Sequence, residues 1–210
     1  MIDSSSQHEE SWERLAREIS KPLPEGHFKR GFGRKNEFII PEQLHWSTDP
    51  AEIQRLSLRK EALYRDIVRE RGLSPLPGVR EWLERLRDAG VPCVIASSTH
   101  RLNIETALEI IRLKEFFAAI VSAEDVTHGK PAPDVFLKAA EKIHRTPDQS
   151  VVFEDAHVGI EAARAAGMRV VAVATTNPLA DLGAADKAIT RLDELDIETL
   201  DKWFTQPAHI

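Results

Sequence analysis

Three short stretches hold side chains that could handle a phosphoryl group. "SVVFEDAHVG" carries the adjacent carboxylates Glu154 and Asp155, "VTHGKPAPDVF" holds Lys130 on a loop stiffened by Pro131 and Pro133, and "VPCVIASST" ends in Ser97-Ser98-Thr99. Two neighbouring carboxylates repel each other unless a proton or a cation intervenes. Hard oxygen ligands that only partly fill a coordination shell suit Mg²⁺, which keeps waters and substrate oxygens. A hydroxyl, free backbone N–H groups at a helix start and a lysine are the usual holders of phosphate oxygens. Each element alone has an ordinary explanation. Ser97 or Asp155 could simply cap a helix, and a lysine beside a proline is most often a solvated loop charge. The "GK" at 129–130 is no P-loop, because the upstream glycine spacing is absent and Pro131 follows. Together the three stretches point to phosphoryl transfer.

The elements that must position them are legible in the periodicity. From Gln7 to about Gly72 the pattern is helical throughout. Asp49 is expected to cap a helix with Pro50 at its first position and Glu52 three residues after the cap, and Gly72 to end it. From Val79 onward short, continuously apolar strands ("VPCVIAS", "FAAIV", "SVVFE", "RVVAVAT") alternate with amphipathic helices. That order predicts an α/β fold with a parallel, Rossmann-like sheet covered on both faces. Ligands in such sheets sit beyond the carboxyl ends of the strands, where all three stretches fall. The expected division is a small helical unit, 1–74, and an α/β unit, 75–210.

Composition narrows the partners. The 210 residues carry a net charge of −6 with no dominant basic stripe, which argues against nucleic acid. No apolar run approaches a membrane span, and the N-terminal residues do not read as a signal peptide. The single cysteine, Cys93, lies in an apolar run, reads as a buried core side chain and fits a reducing cytoplasm.

In order and spacing, "VIASST", Lys130 and "EDAHVGIEAARAAGM" resemble the second, third and fourth motifs of the haloacid dehalogenase superfamily of phosphatases and phosphomutases. The helical half is similar to that family's inserted cap, in particular that of the β-phosphoglucomutase-like branch. "MIDSSSQHEESW" resembles the segment that follows the family's first motif, Asp-x-Asp-Gly. In that register the two motif aspartates would fall about two and four positions before Met1, so the chain reads as beginning just past its catalytic, central strand. A misassigned start codon or a truncated sequence is the expected cause, with true loss of the motif as its rival. A groove or a rearranged pairing is then expected between the strands that end in Ser97 and Glu154.

The resemblance implies a magnesium-dependent hydrolase of small phosphate monoesters acting through an aspartyl phosphate. Ser97, Ser98 and Lys130 would hold phosphate, Glu154 and Asp155 the metal, and His8, Arg34, Lys60, Thr99, His100 and Arg101 would face substrate. Lys60 lies in a charge-rich helix, where such lysines more often merely face water. Arg34 is evenly balanced between a substrate contact and a solvated charge, because the glycines before it permit close backbone approach. His100 and His128 lack ligand spacing and read as surface or structural histidines rather than metal ligands. A sugar phosphomutase and a non-catalytic phospho-ligand binder are the alternatives. "GRKNE" and neighbouring stretches are further similar in texture to plant-type phosphatases of a phosphoribitylamino-uracil.

Overall fold

The computed structural model describes residues 1–205. The helical half comprises α1 (Ser5–Glu18), α2 (His27–Gly31), α3 (Asn36–Phe38, running into a π-turn at Ile39–Gln43) and α4 (Pro50–Arg71). Trp12 and Leu15 of α1 close with Ile40, Trp46, Leu56 and Leu63 on an apolar core of their own. The start of α4 is built as its sequence requires. The Asp49 carboxylate accepts the Glu52 N–H at 3.0 Å, Pro50 occupies the first turn, and Gly72 ends the helix at φ +75°.

The α/β half runs α5 (Val79–Asp88), β1 (Cys93–Ala96), α6 (Arg101–Ile111), β2 (Phe117–Val121), α7 (Asp134–Lys142), β3 (Val151–Glu154), α8 (His157–Ala165), β4 (Arg169–Val173), β5 (Lys187–Ile189) and α9 (Ile197–Thr205). Every strand pairing is parallel. The period of two in the strands sorts their side chains between two helical layers. Val151 and Phe153 pack with α5, α6 and α9, whereas Val152 packs with α7 and α8. This is the expected α/β sheet covered on both faces. β5 was not foreseen, because "DKAIT" is short and polar at its start.

Among the described residues the strands form two sheets, β1–β2 and β3–β4–β5, and β1 does not pair with β3. A cavity of about 620 Å³ lies between them, lined by Cys93–Ala96, Val151–Glu154, Trp82 of α5 and Phe136 of α7. The groove expected between the Ser97 and Glu154 strands is therefore present. Edge strands facing such a gap leave N–H and C=O groups without ladder partners. The first residues lie beside the link between α4 and α5. Ile2 bridges Pro75, and the Leu76 N–H donates to the Met1 carbonyl at 2.9 Å.

Candidate active site

The ends of β1 and β3, the loop before α7 and the inner face of the helical half meet around a second cavity, of about 330 Å³. Ser97, Ser98, Thr99, Lys130, Glu154, Asp155, His8, Arg34 and Lys60 all line it. Ser97 leaves β1 with its N–H still bonded to Val121 O, and its Oγ accepts the Thr99 N–H at 3.2 Å. Accepting that bond leaves the hydroxyl proton free to donate, as a phosphate oxygen requires.

Lys130 and Glu154 form a buried ion pair, Nζ to Oε1. Glu154 Oε2 accepts the backbone N–H groups of Asp155 and Ala156 at 2.8 and 3.1 Å. Burial pushes the Glu154 carboxyl upward, but the Lys130 charge and these donors outweigh it and hold it below the usual carboxylate range. The lysine ammonium also sits 4.7 Å from the Phe136 ring centroid. Gly159 makes this packing possible, since a Cβ there would overlap the Glu154 carboxylate.

Asp155 is held differently. Its Oδ2 accepts the hydroxyls of Thr175 and Thr176 at 2.9 and 2.8 Å, and Asn177 donates to its backbone carbonyl at 2.8 Å. Burial first, and the Glu154 charge second, raise its pKa, and the two threonine donors do not cancel them. This is a carboxylate short of positive charge. Glu154 and Asp155 are the two carboxylates here that could hold a hard divalent cation. No group of three His, Cys, Asp or Glu side chains that could hold a metal occurs among the described residues.

Across the cavity stands a second buried pair. Lys60 and Glu61 are 3% and 2% exposed, with Nζ 3.1 Å from Oε1. Asn36 donates to Glu61 Oε1 at 2.6 Å, and Asn103 of α6 donates to Oε2. Lys60 Nζ reaches His8 Nδ1 at 2.8 Å, and the His8 ring stacks on Tyr64 at 3.9 Å. Burial, then the Lys60 charge, lower the His8 pKa to about 3, so the ring is neutral and accepts from the ammonium. Burial alone would raise Glu61, yet Lys60, His8 and the two amides bring it to about 2. Asn103 also donates to Thr99 Oγ1 at 2.9 Å, which ties the Ser97–Thr99 loop to the helical half.

Lys60 is thus no solvated helix lysine. Two other expectations are not met: His100 and Arg101 are not brought to the cavity. His100 Nδ1 lies 3.1 Å from Glu124 and Nε2 3.4 Å from Ser57 Oγ, while the Arg101 guanidinium pairs with Asp125 at 2.6 Å. The start of α6 turns both toward the loop after β2. Arg34 lies over the Phe38 ring at 4.5 Å. Its loop presses on the α/β half at Gly33 (φ +80°), where a Cβ would come within 2.8 Å of Val158 Cγ2. His128 is exposed and pairs with Asp134 at 3.1 Å. Sequence reasoning missed Asn36, Glu61, Asn103, Thr175 and Thr176. The one available signal was the hydroxyl pair directly after "RVVAVA" at a strand exit.

Parallel strands in an α/β fold, with lysine, serine and paired carboxylates at their ends beneath a helical layer, define the class of structure to which the chain is compared. Residues 1–173 match the family described as haloacid dehalogenase-like hydrolase, and the chain belongs to that family. It is 37% identical over 202 residues to the chloroplastic 5-amino-6-(5-phospho-D-ribitylamino)uracil phosphatase of Arabidopsis thaliana, covering 95% of this chain and 54% of that protein. Over 137 residues it is 38% identical to the bifunctional riboflavin kinase/FMN phosphatase of the same plant, covering 64% of this chain and 35% of the relative. The chain thus spans about half the length of the first relative and about a third of the second. A HAD hydrolase of family IA, variant 3, from Entamoeba histolytica superimposes with a TM-score of 0.85 at 28% identity, covering 98% of this chain and 95% of that one. No helix among the described residues is long and apolar enough to cross a membrane.

Proposed function

We propose that this chain carries the cap, 1–74, and most of the catalytic body, 75–210, of a magnesium-dependent hydrolase of small phosphate monoesters. The observation that carries the reading is the single cavity into which three separate strand exits deliver Ser97, Ser98, Lys130, Glu154 and Asp155. The Ser97 hydroxyl and Ser98 N–H hold phosphate oxygens, and the Lys130 ammonium offsets their charge. A divalent cation held by Glu154 and Asp155, when bound, supplies further neutralisation of the phosphate. The nucleophile in this reading is a carboxylate carried on a strand seated between β1 and β3. Its oxygen attacks phosphorus as the alkoxide leaves and takes a proton, and water then hydrolyses the acyl phosphate to inorganic phosphate.

Hydrolysis is preferred to the mutase reaction because both plant relatives are named as phosphatases. Those names also favour a polyol phosphate joined to a nitrogen heterocycle as substrate, the phosphoribitylamino-uracil first. A reducing compartment such as the cytoplasm suits the free Cys93. The test is phosphate release from an aryl phosphate and from the ribitylamino-uracil phosphate, with and without Mg²⁺, by the chain joined to its upstream reading frame. Magnesium-dependent release that Lys130→Ala abolishes supports the reading, and release that survives Lys130→Ala discards it.

A further inference from the structure

One buried amide holds both halves of the molecule and the loop after β1 at once. Asn103, in the first turn of α6, is 2% exposed and lies outside the linings of both cavities. One of its N–H bonds donates to Glu61 Oε2 of α4 and the other to Thr99 Oγ1 at 2.9 Å. Its carbonyl accepts from the Arg65 guanidinium, also of α4, at 2.9 Å. Both donors and the acceptor oxygen of the amide are thereby engaged. The Thr99 N–H in turn donates to Ser97 Oγ at 3.2 Å. A continuous chain of bonds therefore runs from Arg65 and Glu61, on the helical half, to the Ser97 hydroxyl. Glu61 also holds Lys60 at 3.1 Å, and Lys60 and His8 line the opposite wall of the Ser97 cavity. A fully satisfied buried network is rigid, so a displacement of α4 is passed on to the Ser97–Thr99 loop.

Resting on the phosphatase reading above, we propose that Asn103 is a positioning residue that fixes the Ser97–Thr99 loop from α4. Phosphate affinity is then set in part by side chains of the helical half that never touch phosphate. Ser97 presents its hydroxyl in the geometry phosphate requires only while α4 is seated on α6. Arg65, half-buried and outside both cavity linings, belongs to the same chain of bonds. A merely structural Asn103 would lower stability when removed and leave the affinity of the folded protein unchanged.

The test is calorimetric binding of inorganic phosphate to the chain joined to its upstream reading frame, with KM and kcat measured on an aryl phosphate. Asn103→Leu, of nearly the same size, and Thr99→Val should each weaken phosphate binding about three- to tenfold, the scale of one hydrogen bond. The double variant should bind no more weakly than the worse single one, because both break one chain. KM should rise in step with the phosphate Kd, while kcat falls less than about threefold. Arg65→Met leaves the buried amide in place, so it reads the same coupling if α6 does not tolerate leucine, and it should weaken phosphate binding about twofold or more. Asn103→Asp sets two carboxylates side by side and should bind worst. Adding Glu61→Gln to it exchanges donor for acceptor, keeps one negative charge beside Lys60, and should restore most of the lost affinity. Wild-type affinity in folded Asn103→Leu or Arg65→Met protein, additive losses in the double variant, or an exchange that restores nothing overturns the proposal. Phosphate binding that is absent in wild type, or that persists in Lys130→Ala, instead removes the phosphatase reading and this inference with it.

Discussion

Two buried lysine–glutamate pairs face each other across one cavity, and they are finished differently. In the helical half, Glu61 is surrounded by Lys60, Asn36 and Asn103, so its charge is met on every side. In the α/β half, Lys130 and Glu154 are somewhat less buried, and Asp155 adds a second negative charge that the hydroxyls of Thr175 and Thr176 only partly meet. A closed network fixes geometry, and one left with surplus charge is suited to take up a ligand. On the proposed function, the first pair would position and the second would take part in the chemistry.

The largest effect that could break this contrast is on turnover. Lys130→Ala should lower phosphate release by about 10²–10³-fold or more, the scale of losing a fixed charge on the reacting group, whereas Asn103→Ala should cost far less. Steady-state rates on the ribitylamino-uracil phosphate decide it, and comparable losses in the two variants would erase the distinction. Stability should respond in the reverse order. Glu61→Ala strands the buried Lys60 charge and should cost about 3–5 kcal/mol, read by urea unfolding.

The pH responses of His8 and Glu61 on one side of the cavity and of Asp155 on the other should carry opposite signs. The His8 pKa is depressed to about 3 and that of Glu61 to about 2, so their contribution to stability is present above their ordinary values. It should be lost as pH falls below about 6.5 and then 4.5, each proton contributing a slope of about 1.4 kcal/mol per pH unit. The Asp155 pKa is raised, so its contribution is present at acid pH and lost as pH rises through the folded value. The lowered Glu154 pKa works against that of Asp155 at the same strand end. In the helical half the sign is single, so amide exchange at pH 7 and pH 5 should show α1 and α4 loosening in acid; unchanged protection there would contradict it.

A smaller effect sharpens the same point. Asp155→Asn keeps the shape and removes the surplus charge, so at neutral pH it should raise stability by about 1 kcal/mol and abolish any rise in melting temperature on adding Mg²⁺. Smallest of all, Glu18→Ala, which breaks the exposed pair with Arg59, should shift stability by less than about 1 kcal/mol.

What could be read from the sequence was whatever is local. The Asp49–Pro50–Glu52 helix start, the apolar strands and the acidic pair at 154–155 each lie within a few consecutive residues, where spacing alone carries the signal. The Glu61 network was invisible because its donors come from 25 and 42 positions away, and only tertiary packing brings them together. His100 and Arg101 misled for a related reason. They share a loop with Ser97 and Thr99, but the turn into α6 aims them at Glu124 and Asp125.

The contact of Ile2 with Pro75 has a mechanical consequence. The Leu76 N–H bond to the Met1 carbonyl braces the link between α4 and α5 along a neighbouring extended segment, so the helical half meets the α/β half both there and where Gly33 sits against Val158. Loosening this link, for example by inserting glycines after Leu73, should lower the effective concentration of Arg34 over Ser97 and Lys130 without altering any residue that lines the cavity.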